Sequence, residues 1–253
     1  MKVLTVHIKQ IEAKKKRYVV HTEAHRFVLD EETLLKFRLV VGKALEEADI
    51  EAIQAYDDDI RGLHQAYHYL SFKPRSVAQM KEYLRTKEVH SIETVIATLK
   101  GKDYLNDEQT AQWIVEQTII QKKGANAAKQ KLIQAKIHPS IIDRALSAYG
   151  VDDAHAAATT RVLSWCKPTK KSLTAFKASL LQKLVGAGFS FDTAHQVMQD
   201  QASLIEAQVD EPTAIALWLD KNHGLSANKT IQKLMQQGFA YATIRHVLDE
   251  RSD

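Results

Sequence analysis

Over the first thirty positions apolar and polar residues alternate. Leu4, Val6 and Ile8 are separated by Thr5 and His7; Tyr18, Val20 and Thr22 are separated by Val19 and His21; Phe27 and Leu29 form a third short run. A period of two is the signature of a half-buried strand. The pattern predicts a small antiparallel sheet of about three strands, with the polar stretch Glu12–Arg17 (EAKKKR) as a hairpin loop. Asp30 is placed to cap a short helix running to Phe37, and Gly42 breaks the chain before the next element.

From about residue 49 the period lengthens to that of helices, and it repeats. The stretch KLVGAGFSFDTAHQVM at Lys183 is echoed by KLMQQGFAYATIRHVL at Lys233, and weaker relatives surround Leu132 and Leu84. Leu84, Leu132, Leu184 and Leu234 lie 48, 52 and 50 residues apart. Five positions after each comes an apolar residue: Val89, Ile137, Phe189 and Phe239. An apolar pair follows in the later copies (Ala145 and Leu146, Val197 and Met198, Val247 and Leu248), with Ile96 and Leu99 in that role in the first. Ahead of each leucine helix lies another helical stretch, carrying Tyr69 and Leu70, Trp113 and Ile114, Val162 and Leu163, or Leu217 and Trp218. Each copy is thus expected to form three short helices.

Local signals agree. Ser76 with Gln79, and Asn106 with Gln109, have capping-box spacing. Pro74, Gly124, Pro168 and Gly224 fall between periodic stretches, and Gly188 and Gly238 fall where a left-handed residue closes a helix. A unit of about fifty residues is near the lower limit of independent stability, so copies stacked in series bury faces against one another and form a quasi-one-dimensional, elongated array. The expected fold is mainly α: tandem three-helix repeats with a small N-terminal antiparallel β-sheet. The expected boundaries are 1–48 for the β module and 49–102, 103–150, 151–200 and 201–253 for the four repeats.

Composition refines this reading in two places. At 45% hydrophobic and 26% charged, with a single cysteine and no apolar run long enough for a membrane span, the chain reads as a cytoplasmic globular protein. The net charge of +4 is unevenly placed: residues 61–150 carry 14 Lys/Arg against 8 Asp/Glu, residues 1–60 carry 10 against 12, and residues 151–253 carry 11 against 11. A local basic excess points to an anionic partner, with a solvated helix surface as the alternative.

No reaction is legible. Gly186-Ala-Gly188 lacks the rest of a dinucleotide fingerprint, and the chain has no phosphate-cradling Lys-Ser/Thr loop. His64 and His68 have metal-compatible spacing without a catalytic Glu between them, and His21 and His25 lie in or beside the hairpin. Cys166 has no nearby His or acidic partner in sequence. Asp57, Asp58 and Asp59 read as an exposed turn or a helix-end charge cluster rather than a cation site. No catalytic residue, metal or cofactor is expected.

The ordered motifs resemble the RecX family of bacterial regulators of the RecA recombinase. EETLLKFRLVVGKAL (Glu31–Leu45) and the run from Lys16 to Val20 resemble that family's N-terminal pattern. AYHYLSFKPRSVAQMKEYL (Ala66–Leu84) resembles its first repeat, and DYLNDEQTAQWI (Asp103–Ile114) with KKGANAAKQKLIQAKI its second. Asn106, Thr110 and Ala125 depart from it, standing where the family usually has an acid, Phe and Pro. The resemblance implies a bent, elongated, monomeric protein that binds along the groove of the RecA–single-stranded-DNA filament and modulates, usually inhibits, strand exchange and ATP turnover. It places the protein in DNA repair, homologous recombination and the SOS response. The basic residues expected to meet RecA or DNA phosphates are Lys73, Arg75, Lys81, Arg85, Lys122, Lys123, Lys129 and Lys131. Lys129 and Lys131, two apart on one helix, cannot share a narrow face. The alternative is a helical-repeat nucleic-acid binder acting without a protein partner.

Overall fold

The structure is a computed structural model that describes residues 5–15 and 17–251. The strand position read at Leu4, and Lys16 of the family-like run, lie outside the described residues. Two compact units are present: residues 1–110 with 135–137, and residues 111–134 with 138–253.

The first unit opens with β1 (Val6–Lys14), β2 (Arg17–Thr22) and β3 (Arg26–Asp30), then α1 (Glu31–Lys36) and a two-residue β4 (Ala44–Leu45). The sheet order is β3-β2-β1-β4, every described pair antiparallel. There are thus four strands where three were expected, because the chain returns after Gly42 (φ 86°) and pairs Ala44 and Leu45 with His7 and Val6. The stretch Glu12–Arg17 is mostly strand rather than loop, since Glu12, Ala13 and Lys14 pair with Val19, Tyr18 and Arg17. Val6, Ile8, Val20, Phe27 and Leu29 form one apolar face with Leu39, Leu45 and Ile53. Asp30 caps α1, its carboxylate accepting the Glu32 N–H at 3.2 Å.

The helix α2 (Glu47–Leu70) has 24 residues, far longer than the short helix expected. No proline interrupts it, and its only glycine, Gly62, is required by packing: a Cβ there would meet Val95 Cγ2 at 2.7 Å and Val89 Cγ1 at 2.9 Å. Its first half, through Ile50 and Ile53, closes the sheet's core, and its second half, through Leu63, Ala66 and Tyr67, enters a separate core. That core also holds Met80 and Leu84 of α3 (Val77–Thr86) and Val95, Ile96 and Leu99 of α4 (Ile92–Gly101). Ser76 and Gln79 form the predicted capping box. Asn106 accepts the Glu108 N–H at 2.9 Å, but the Gln109 amide donates to Asp103 instead of completing a box. Thr110 is buried, and its hydroxyl donates to the carbonyls of Asn106 (2.8 Å) and Arg75 (3.1 Å).

The helix α5 (Asp107–Ile120) begins in the first unit. The second unit holds its remainder, then α6 (Ala125–Gln134), α7 (Pro139–Leu146), α8 (Val151–Trp165), α9 (Leu173–Gly186) and α10 (Phe191–Asp200). A five-residue α11 (Ala202–Glu206), which the repeat pattern had not shown, precedes α12 (Glu211–Leu219), α13 (Ala227–Gln236) and α14 (Tyr241–Glu250). Ala158, Val162, Leu180, Leu184, Phe189 and Val197 form one core, and Ile215, Leu234, Phe239, Ile244 and Val247 another. The repeat is visible in the backbone: the residue four after each leucine is left-handed, at Glu88 (φ 53°), Lys136 (φ 54°), Gly188 (φ 92°) and Gly238 (φ 86°). The next N–H returns to the leucine carbonyl from Val89, Phe189 and Phe239, each at 3.2 Å. This closure ends the helix and turns the apolar residue into the core.

Middle-helix starts and middle-helix ends are also bonded to one another. Within the first unit the Ser76 hydroxyl donates to the Ala135 carbonyl at 2.5 Å. Within the second, Ser172 Oγ donates to the Gln237 carbonyl at 2.6 Å, and Gly124 N–H to the Ala187 carbonyl at 3.0 Å.

Candidate partner-binding surface

The eight basic residues singled out from the sequence are not equivalent. In the first unit Lys73 is exposed on the loop that leads to Pro74, and Arg85 is exposed near the end of α3. Arg75 is half-buried, with its guanidinium carbon 3.9 Å from the ring centroid of Tyr69. Tyr69 stacks on Tyr83 at 4.0 Å and 10°, and Lys87 Nζ lies 5.5 Å from the Tyr83 ring. A cation, two rings and a second cation therefore form one column, in which each ring's quadrupole faces a positive charge. Tyr83 is held in place by donation to Gln65 at 3.1 Å. Lys81 points elsewhere: its Nζ is 2.7 and 2.8 Å from the two oxygens of Glu93.

In the second unit Lys122 and Lys129 are exposed and Lys123 is half-buried. The backbone at Lys122 is left-handed (φ 52°), and its carbonyl accepts from Arg161 Nε at 3.0 Å while the Gln121 carbonyl accepts from Arg161 Nη2 at 2.6 Å. Tyr149 donates its hydroxyl to the Lys123 carbonyl, and burial pushes the Tyr149 phenol up from its ordinary value, aided by Asp153. Lys131 is half-buried, 3.5 Å from both Thr118 Oγ1 and Gln121 Oε1, while Lys129 is open to solvent. Lys87 and Arg161 were absent from the sequence-based set. Lys87 follows Tyr83 by four positions on the same helix face, a signal that pair spacing contains; Arg161 reaches its partners only through folding.

The remaining candidate chemistry is structural. His64 Nδ1 lies 3.5 Å from Asp30, and the His68 ring is edge-on to Phe72. His21 Nε2 is 3.8 Å from Glu12, and His25 tilts against Phe27. Among the described residues no cluster of three or more His, Cys, Asp or Glu is arranged to hold a metal. Cys166 follows α8 and is half-buried, with burial pushing its thiol pKa up, away from reactivity. Among the described residues no helix is long and apolar enough to cross a membrane.

The aspartate run is neither an exposed turn nor a helix end. Asp57 and Asp58 sit in the middle of α2 and turn to different neighbours. Buried Asp57 accepts the Asp30 N–H (2.6 Å), the Thr33 hydroxyl (2.8 Å) and Arg17 Nη2 (2.5 Å), which ties α2 to the sheet and α1. Asp58 accepts Arg61 Nη2 (2.5 Å), the N–H groups of His90 and Ser91 (2.8 Å each) and the Ser91 hydroxyl (2.9 Å), covering the start of α4. Burial pushes the Asp58 carboxyl up, but the hydrogen bonds from Arg61, Ser91 and His90 outweigh it and hold the group below its usual range.

Residues 63–99, the end of α2 with α3 and α4, match a family model described as RecX, first three-helix domain. Regulatory protein RecX of Listeria innocua serovar 6a is 28% identical over 266 residues, an alignment covering 99% of this chain and 97% of the relative. Regulatory protein RecX of Streptococcus agalactiae serotype Ia is 28% identical over 256 residues, covering 96% and 98%. A crystal structure of regulatory protein RecX superposes with a TM-score of 0.56 at 25% identity, covering 77% of this chain and 99% of that one.

Proposed function

We propose that this chain, which belongs to the RecX family, regulates the RecA recombinase by binding along the groove of the RecA–single-stranded-DNA filament, damping strand exchange and ATP turnover. The observation that carries this reading is similarity to proteins named as RecX regulators along nearly the whole length of both chains. Tandem repeats suit a periodic target, because contacts to successive filament subunits add through effective concentration. The expected repeat boundaries at 49–102, 103–150, 151–200 and 201–253 supply one contact unit each. The basic residues best placed to meet an acidic protein groove or phosphates are the exposed Lys73, Arg85, Lys122 and Lys129, with Arg75 presented through its tyrosine column. Lys81, neutralised by Glu93, and Lys131, turned to Thr118 and Gln121, contribute less.

The test is inhibition of RecA ATP turnover on single-stranded DNA. Reversing Lys73, Arg85, Lys122 and Lys129 to Glu is expected to weaken inhibition about tenfold or more, since the lost contacts are electrostatic, and to flatten its dependence on salt. Reversing Lys221, Lys229 and Lys233, exposed on the last repeat, is expected to do less. A larger loss from the second set, with both proteins folded, moves the contact surface to the C-terminal repeats.

A second reading, direct binding of nucleic acid without RecA, is favoured by Phe72, 70% exposed beside Lys73. An exposed ring next to a cation is a stacking platform for a base. Against it, the Tyr69 ring has one neighbour in Arg75 and another in Tyr83, so its faces are occupied. Equal affinity for naked single-stranded DNA and for the filament, lost in Phe72→Ala, is the result that selects this second reading.

A further inference from the structure

Between β2, β3 and α2 of the first unit lies an open cavity of about 420 Å³, lined by Arg17, Arg26, Gln54, Arg61, His90 and the two aspartates Asp57 and Asp58. We propose that this cavity is an anion site that binds a phosphate group through Arg17, Arg26 and Arg61. The inference goes beyond the regulatory reading and does not depend on it.

The arginines are held in the same way. Arg17 uses Nη2 alone for its two contacts, to Asp57 (2.5 Å) and the Val28 carbonyl (2.7 Å). Arg61 likewise uses Nη2 alone, for Asp58 (2.5 Å) and the Glu88 carbonyl (2.7 Å). Neighbouring aspartates on α2 thus anchor two guanidiniums by one terminal nitrogen each, and Nη1 of each remains uncommitted among the described residues. Both arginine side chains stay about one-third exposed, at 34% and 35%, while the aspartates are 10% and 13% exposed. The acids are therefore spent on anchoring, while both arginines line the cavity. Arg26, on the outer strand β3, is exposed and has no side-chain partner among the described residues. Three arginines against two aspartates leave the lining net positive.

Geometry favours phosphate over carboxylate. A carboxylate has two oxygens in one plane and is satisfied by a single guanidinium fork. Arginines contributed by three separate elements, β2, β3 and α2, suit the tetrahedral oxygens of a phosphate. The volume lies in the range of small-ligand sites and leaves room for the sugar of a nucleotide or of a nucleic-acid backbone.

The test uses the full chain and nuclear magnetic resonance of the arginine Nε–Hε groups. Inorganic phosphate and a short single-stranded oligonucleotide are titrated separately at constant ionic strength. Saturable shifts at Arg17, Arg26 and Arg61 are expected with at least one of them. Response to inorganic phosphate identifies a free phosphate group as the ligand class, and response to the oligonucleotide alone identifies a nucleic-acid backbone. Arg26→Glu is expected to weaken binding about tenfold, the effect of losing one charge-assisted hydrogen bond, with an unchanged melting temperature because Arg26 supports no other group. Arg61→Lys retains the charge beside Asp58 but lacks Nη1, and it is expected to weaken binding as well. Lys229→Glu, an exposed cation of α13 in the second unit, is expected to leave it unchanged. The proposal is overturned by absence of saturable shifts with both ligands, by binding indifferent to Arg26→Glu, or by a glutamate-rich peptide binding tighter than either phosphate source.

Discussion

Replacing Gly188 by alanine, with Gly186→Ala two residues away as its counterpart, probes a close backbone approach in the second unit. Gly188 is left-handed at φ 92°, and a Cβ built on it would meet Ala127 N at 2.4 Å and Ala127 Cβ at 2.5 Å. The approach is mutual: a Cβ on Gly124 would meet the Gly188 carbonyl oxygen at 2.2 Å. Two backbone bonds depend on it, Gly124 N–H to the Ala187 carbonyl and Asn126 N–H to the Gly188 carbonyl, both 3.0 Å. A left-handed alanine costs about 1–2 kcal/mol, forced overpacking about 1–3 kcal/mol, and each weakened hydrogen bond about 0.5–1.5 kcal/mol. These terms overlap, and a total loss of about 3–4 kcal/mol is expected for Gly188→Ala. Gly186 ends α9, and a Cβ there meets nothing within 4 Å. Gly186→Ala is expected to stabilise by up to about 1 kcal/mol, through reduced freedom of the unfolded chain and better helix propensity. Urea unfolding of both variants, followed by circular dichroism, measures the contrast. A Gly188→Ala protein within about 0.5 kcal/mol of the parent, the usual range of surface changes, refutes the close-approach argument. So does a Gly186→Ala protein that is the less stable of the two.

Ser172→Ala removes both the cap on Ala175 N–H (3.2 Å) and the bond to the Gln237 carbonyl, and is expected to cost about 2 kcal/mol; Ser190→Ala removes a cap on Thr193 N–H (3.1 Å) and is expected to cost about 1 kcal/mol, so equal losses in thermal melts count against the second role of Ser172. For Asp58 the folded carboxyl lies below its unfolded value, so its contribution is full above about pH 4 and is lost as pH falls through the folded pKa; the stability gap between the parent and Asp58→Asn is expected to narrow between pH 6 and pH 3, and a constant gap in pH-dependent unfolding contradicts this.

Much of the architecture was legible in the sequence. Leu84, Leu132, Leu184 and Leu234 recur at fifty-residue intervals, and all four are fully buried. Val89, Ile137, Phe189 and Phe239 follow them into the interior. Gly188 and Gly238 were readable as left-handed helix ends because glycine is the residue that adopts that conformation without a Cβ clash. Glu88 and Lys136 occupy the same conformation at the same place in the repeat and were not readable, since neither side chain signals it. The two-residue β4 escaped for a related reason: Ala44 and Leu45 are too short a run to show a period.

Effects that act over a few residues could be read along the chain: helical and strand periods, caps at Asp30 and Ser76, and breaks at glycine and proline, together with the recurrence of these signals every fifty residues. The partnering of distant groups emerges only when the chain folds. Three aspartates in a row read as one acidic patch, yet Asp57 is anchored by Thr33, 24 positions earlier, and Asp58 by Ser91, 33 positions later. Arg75 and Lys87 look like any surface cations until Tyr69 and Tyr83 stack between them. Gly124 reads as a plain loop breaker until the end of α9 is brought against it. Local backbone preference extends over about one helical turn, whereas burial and electrostatics act between groups that become neighbours only when the chain has folded.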